Sequence, residues 1–224
     1  MVGFICLCNN MNIQEKEINS NNVQRKLNQI NDAYKENAQT ILVQFSFEEL
    51  LSLIDEHNYS KCIAIINDTE PYFSVAQWSL HKHQARKWWY KDHLTETMNI
   101  TIQLWTHMNT FRKFDFSIQD CILILFLHDL EKIRKYSNND SMIQEFKSHK
   151  SVKDFVNHKI EEYWFELTTE QINGLKYIHW EWDDYNPTTR VQSWLAAFLH
   201  ICDTRSARIW FDYPRKYSKA GLNS

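Results

Sequence analysis

Only three glycines and three prolines punctuate the 224 residues of this chain. Hairpin turns depend on those residue types, because glycine supplies positive φ and proline a preset φ. A chain so poor in both is expected to fold as helices, and the fold class predicted here is all-α. Its apolar fraction of 43%, with nine tryptophans, is enough to fill a core and excludes a disordered chain. A formal charge of −3 excludes a general attraction to nucleic acid or anionic lipid, leaving room only for a local basic patch.

Cysteines occur at 6, 8, 62, 121 and 202, with no CxxC pair. That spacing speaks against a disulfide framework or a zinc knuckle and fits a reducing cytosol. Residues 2–8 (VGFICLC) are apolar but lack a basic flank and are too short for a signal or a membrane span, and Met11 is an alternative start. The expectation is a soluble, cytoplasmic protein with no membrane partner.

The chain divides at a soft boundary near 75. Residues 1–75 read as an N-terminal extension, with Val23, Leu27, Ile30 and Tyr34 at the spacing of an amphipathic helix over 20–37. Helices are expected over 75–89, 92–108, 117–136, 140–148, 151–165, 168–180 and 190–211, within a domain spanning 76–214. Ser117 with Asp120, and Thr168 or Thr169 with Glu170-Gln171, supply capping signals. Pro214 closes the last helix, and residues 215–224 form a tail.

Several polar residues interrupt apolar faces. In ILILFLHDLEK (122–132) six apolar residues run straight into His128 and Asp129. His93 shares its helix with Leu94, Met98, Ile102 and Trp105, His179 follows Leu175 and Ile178, and Asp203 lies within WLAAFLHICD. Singly, such groups are often core residues satisfied by hydrogen bonds, and Asp203 has Arg205 and Arg208 nearby. Together, carboxylates and imidazoles on separate helices can converge on a transition metal in a bundle core.

The order His93, His128-Asp129, Asp203 resembles the HD superfamily of metal-dependent phosphohydrolases. LHDLEK is similar to that family's LHDIGK, with Lys132 at its lysine, and LHICDTRSAR resembles its final aspartate-bearing helix. The likeness covers roughly 85–212. It implies an HD-type helical bundle in which His93, His128, Asp129 and Asp203 bind one divalent metal (Mn, Fe, Ni, Zn or Mg). HWEWDDYNP (179–187) partly keeps a pattern of the two-metal HD-GYP-like members, while lacking its second histidine and both glycines. By that likeness His158 and His179 are candidates for a second ion.

The implied activity is hydrolysis of a phosphomonoester or phosphodiester by a metal-activated water, with Asp129 and Lys132 as catalytic residues. Lys132, Arg190, Arg205 and Arg208 are candidate phosphate contacts, although a solvated face or an ion pair serves each arginine equally well. The substrate class expected is a small phosphorylated molecule, a nucleotide before a long nucleic acid. Tyr177, Trp180, Trp182 and Tyr185 offer aromatic faces to a base or simply pack. His200 reads as a core or supporting residue. The alternative is a non-catalytic HD-like module that binds a nucleotide or a protein.

Overall fold

Small polar residues start most of the helices in this computed structural model, which describes residues 45–70, 72–75, 89–181 and 184–209. Ser46 caps α1 (Phe47–Leu51) and Asp55 caps α2 (Glu56–Thr69). After α3 (Tyr72–Val75) and α4 (Trp89–Phe111), Ser117 and Asp120 close a reciprocal cap on α5 (Ile118–Leu127). α6 (Glu131–Lys135) follows after one turn, then α7 (Asp140–Lys147) behind Asn139 and α8 (Val152–Glu162) behind Ser151. Thr168 and Gln171 box α9 (Thr169–Tyr177), and Ser193 caps α10 (Trp194–Thr204), which runs on into a π-turn, Arg205–Ile209. Each such cap satisfies amides that would otherwise lack partners and is worth about 1 kcal/mol.

The described residues contain no strand, so the chain is all-α there. None of their helices is long and apolar enough to cross a membrane. Cys62, Cys121 and Cys202 are buried free thiols.

α5 lies at the centre. Every residue from Cys121 to Leu127 is buried, and α1, α4, α9 and α10 pack around it. A helix apolar on all sides can only be an interior one, and this one forms a dry floor beneath whatever follows it. Phe73 links the N-terminal helices to that floor, with its ring 5.6 Å from Phe47, 5.2 Å from Tyr90 and 6.2 Å from Phe126.

Phe47, Leu50, Leu51 and Ile54 therefore belong to the same core as Leu94 and Phe126. The compact unit that holds the described residues begins at Phe45. Residues 1–44, with the helix expected over 20–37, lie outside the described residues, as do 76–88 of the expected 75–89 helix, Trp182, and the 215–224 tail.

Two other expectations shift for local reasons. The single helix expected over 117–136 breaks at His128–Leu130. The last helix begins at Trp194, not Arg190, because Ser193 takes the cap and holds the Ala196 amide.

α9 and α10 meet at Gly174. A Cβ there would stand 3.1 Å from Leu195 Cδ2 and 3.3 Å from its Cγ, so the missing side chain sets how closely these helices approach. His179 follows one of them and Asp203 ends the other, so that approach also sets the width of the site.

Candidate metal centre

Four elements deliver polar side chains to the rim of the α5 floor. α4 carries His93 in its second turn, beside the buried Leu94. The turn after α5 carries His128 and Asp129. The segment following α9 carries His179, and the last turn of α10 carries Asp203.

The ligand atoms are close. His93 Nε2 lies 3.2 Å from Asp203 Oδ1 and 3.9 Å from Asp129 Oδ2. His128 Nε2 lies 3.3 Å from Asp129 Oδ2 and 3.7 Å from Asp203 Oδ1. His179 Nε2 approaches the other oxygens, at 3.5 Å from Asp129 Oδ1 and 4.0 Å from Asp203 Oδ2. Two groups, His93–His128–Asp129 and His128–His179–Asp203, each gather their donor atoms within 4.8 Å and could hold a metal ion. His93, His128 and Asp129 are buried, whereas the His179 side chain is 41% exposed, so the site opens to solvent on its side.

The donor set fits a cation. Both oxygens of Asp129 and Nε2 of His128 are buried without a hydrogen bond among the described residues. Buried charges left so are costly unless a counter-ion or metal completes them. Imidazoles mixed with carboxylates suit Zn, Mn, Fe or Ni better than calcium. The orientation of His128 is already fixed: its Nδ1 lies 2.6 Å from the Leu125 carbonyl oxygen, which only accepts. Nδ1 therefore carries the proton, and in the neutral ring Nε2 points its lone pair at the centre.

Without a cation the groups lean on one another. Burial would drive His128 down, but Asp129 and Asp203 outweigh it and hold the imidazole well above its ordinary value. Burial would raise both carboxylates, yet His128 and Lys132 keep Asp129 well below the usual range, and His128 and His93 keep Asp203 there too. Lys132 is pushed down by burial and more strongly up by Asp129 and Glu131. Its Nζ lies 3.8 Å from Asp129 Oδ1 and 3.4 Å from Glu131 Oε1, which puts a fixed cation at the edge of the cluster.

The chain matches no family model, no curated protein and no solved structure.

Of the remaining sequence candidates, His158 and Arg190 lie apart from this group. His158 is corrected: α8 buries Phe155, Val156 and Lys159, which turns His158 outward. There it pairs with Glu162 at 3.8 Å, and its ring lies 4.9 Å from that of His149, tilted by 40°. Arg190 is also placed elsewhere, lining a surface cleft of about 410 Å³ with Arg112 and Trp194. Its Nε donates to the Gln192 carbonyl. Arg205 caps α10 two residues beyond Asp203, and Arg208 is exposed on the π-turn.

His200 supports the site. Its Nδ1 lies 2.7 Å from the Ile178 carbonyl oxygen, and its ring lies 5.3 Å from that of Trp180. Those contacts brace both neighbours of His179 in a segment where Trp180 takes a φ of 131°. Positive φ in a tryptophan is strained and persists only where surroundings hold it. Of the aromatic residues beside His179, Tyr177 is buried and donates to Asp184, while Trp180 and Tyr185 are exposed.

Sequence reasoning missed Glu131, Glu96 and Ser206. Glu131 sits in a charged tetrapeptide that gives no sign of burial, and burial followed by the charge of Asp129 raises its carboxyl above the ordinary value. Glu96 was discoverable, since it lies three residues after His93 on one helix face. Ser206 carried no signal.

Proposed function

We propose that this chain is a metal-dependent phosphohydrolase of the HD kind, acting on a phosphomonoester or phosphodiester, with a nucleotide as the preferred substrate. The observation that supports the reading is that His93, His128 and Asp129 gather their donor atoms in one buried group, with Asp203 Oδ1 3.2 Å from His93 Nε2 and 3.7 Å from His128 Nε2, in the order HD enzymes use. These four side chains would hold the first cation. His179, reaching the opposite oxygens of both aspartates, would serve a second.

A bound divalent cation supplies a water acidified toward neutrality and a polarised phosphoryl oxygen. The protein's part is geometry and charge. α5 excludes water from beneath the ligands, so their charges act in a medium of low dielectric. Lys132 sits where it can neutralise a phosphoryl oxygen as negative charge builds. The open side, at His179, is where substrate enters. Trp180, half exposed there, offers a flat face on which a base can stack.

The test combines elemental analysis with a phosphoester panel. Purified protein is expected to retain near-stoichiometric Mn, Fe, Ni or Zn and, with added Mn, to release phosphate or nitrophenol from some members of the panel. No metal at any pH, even after Mn supplementation, would sink the reading. Metal without turnover would favour a binding module instead.

A further inference from the structure

We propose that Ser206 and Glu96 are positioning residues that fix the tautomer of His93 and so hold its Nε2 ready for a cation. The inference rests on the reading of the cluster as a metal centre. It concerns a part of the molecule that the ligand order says nothing about.

Glu96 lies one turn after His93 on α4, so both side chains leave the same face of that helix. Ser206 reaches them from the π-turn beyond α10 and is buried. Its Oγ lies 2.7 Å from Glu96 Oε2 and 3.1 Å from His93 Nδ1. Thr97 Oγ1, at 3.5 Å from Nδ1, is too distant to compete.

Proton bookkeeping then allows one arrangement at Nδ1. An ionised carboxylate only accepts, so the single hydroxyl proton of Ser206 goes to Glu96. The serine oxygen can then only accept from His93, so Nδ1 must be the protonated nitrogen. In the neutral ring this leaves the lone pair on Nε2, the atom 3.2 Å from Asp203 Oδ1. His128 reaches the same tautomer through the Leu125 carbonyl, so both buried imidazoles present Nε2 to the centre.

The order of the relay matters. A serine without the glutamate is free to turn its proton toward Nδ1, which favours the Nε2–H tautomer, a form that cannot bind a cation. Glu96→Ala should therefore do more than remove a distant charge: it should reverse the imidazole. Removing Ser206 as well should undo that reversal.

The experiment uses the full-length chain in two measurements. First, ¹⁵N-resolved NMR of the imidazole rings in metal-free protein, with His93 assigned by its loss in His93→Gln, reads the tautomer directly. Wild type is expected to show Nδ1–H at His93, and Glu96→Ala to shift it toward Nε2–H. A wild-type ring that carries no proton on Nδ1 overturns the proposal whether or not the protein takes up metal.

Second, competition against a chelator measures Mn and Zn affinity. Loss of such a supporting partner weakens binding about 10–100-fold, and that loss is expected for Ser206→Ala and Glu96→Ala. Ser206→Thr, which keeps the hydroxyl, should retain wild-type affinity and serves if the alanine variant fails to fold. The Glu96→Ala/Ser206→Ala double variant should bind no worse than Glu96→Ala alone. Wild type that binds metal while Ser206→Ala binds equally well overturns the relay and leaves the metal centre standing. Wild type that binds no metal overturns the centre, and the tautomer measurement then decides the relay.

Discussion

The Nδ1–H of His128 donates to the carbonyl oxygen of Leu125 across 2.6 Å, and with that contact the helical ladder of α5 gives way. In an unbroken helix the same carbonyl would accept the amide of Asp129, four residues on. The ring competes with the backbone, and the next bonds, from Leu130 to the Leu127 carbonyl and from Lys132 to the Asp129 carbonyl, span only three residues each. His128→Ala should therefore let α5 run on while removing a ligand. We expect metal content to fall to background with far-UV circular dichroism unchanged or slightly more helical. A variant that keeps its cation would place the ligands elsewhere.

Opposite pH trends should separate the metal-free from the metal-loaded protein. His128 is held above its ordinary value by Asp129 and Asp203, against burial. Its contribution to stability is thus complete below an ordinary imidazole pKa of about 6.5 and is lost as pH rises through the raised value. Asp129 and Asp203 are depressed, so theirs is present above about 3.9 and lost as pH falls. Melting in chelator should peak between those limits and decline toward alkaline pH. Mn affinity should instead rise over the same alkaline range, because His128 must shed its proton to bind. Thermal melts with chelator and with Mn test both trends, and parallel profiles would contradict the coupling.

Most of the site was readable because its residues break a pattern. His93, His128, Asp129 and Asp203 each interrupt an apolar helical face, and a charge so placed asks for a partner. His158 breaks no such pattern. It was carried over on family spacing alone, while the periodicity of α8, with Phe155, Val156 and Lys159 inward, already turned it to solvent. The all-α fold followed from the scarcity of turn residues. The break at His128 did not, because the acceptor that ends the helix is a backbone carbonyl, and sequence patterns do not show which carbonyl a ring will reach. Ser206 was hidden for a related reason: its role depends on packing between α4 and the π-turn, over a hundred positions apart.

Lys132 separates substrate chemistry from metal binding. Its ammonium borders the cluster without supplying a ligand lone pair. Lys132→Ala should keep the bound metal and lower kcat on the best phosphoester by roughly 10²–10³-fold, the usual cost of losing one fixed donor to a developing oxyanion. Lys132→Arg should recover part of that loss. Equal losses of metal and activity in Lys132→Ala would instead assign the lysine a structural role.

A partly buried ionic network linking α6, α7 and α8 should show itself in acid. Lys159 pairs with both Glu145 and Glu162, and Arg134 Nε donates to Glu145 Oε2 at 2.8 Å. Burial would raise Glu145, but Lys159 and Arg134 outweigh it and lower its carboxyl. The stabilising contribution is therefore present above the ordinary glutamate value and lost as pH falls through the lowered one. Glu145→Gln should flatten that part of the acid limb. It should also cost about 1–3 kcal/mol near neutrality, since the buried donors lose an ionised acceptor. Chemical denaturation at several pH values reads both effects, and an unchanged acid limb would remove Glu145 from the account.

Gly174 links packing to the site. A Cβ there would stand 3.1 Å from Cδ2 of the buried Leu195 and 3.7 Å from Ile124 Cγ1 of α5, so α10 and α5 both border it. Alanine brings a helix-propensity gain of up to about 1 kcal/mol, which offsets the crowding in part. Valine adds two methyl groups and β-branching, and overpacking of this kind costs about 1–3 kcal/mol. In a protein of this size that lowers Tm by about 2–12 °C. The wedge also moves α9 away from α10, and with it His179 away from Asp203 Oδ2, to which it now stands at 4.0 Å. Gly174→Val should therefore weaken a second bound cation more than the first, three of whose four ligands, His93, His128 and Asp129, are carried by α4 and the turn after α5. Sequential Mn titration followed by electron paramagnetic resonance distinguishes the two. Equal weakening of both would mean that the helix pair moves as one body and that Gly174 sets stability alone.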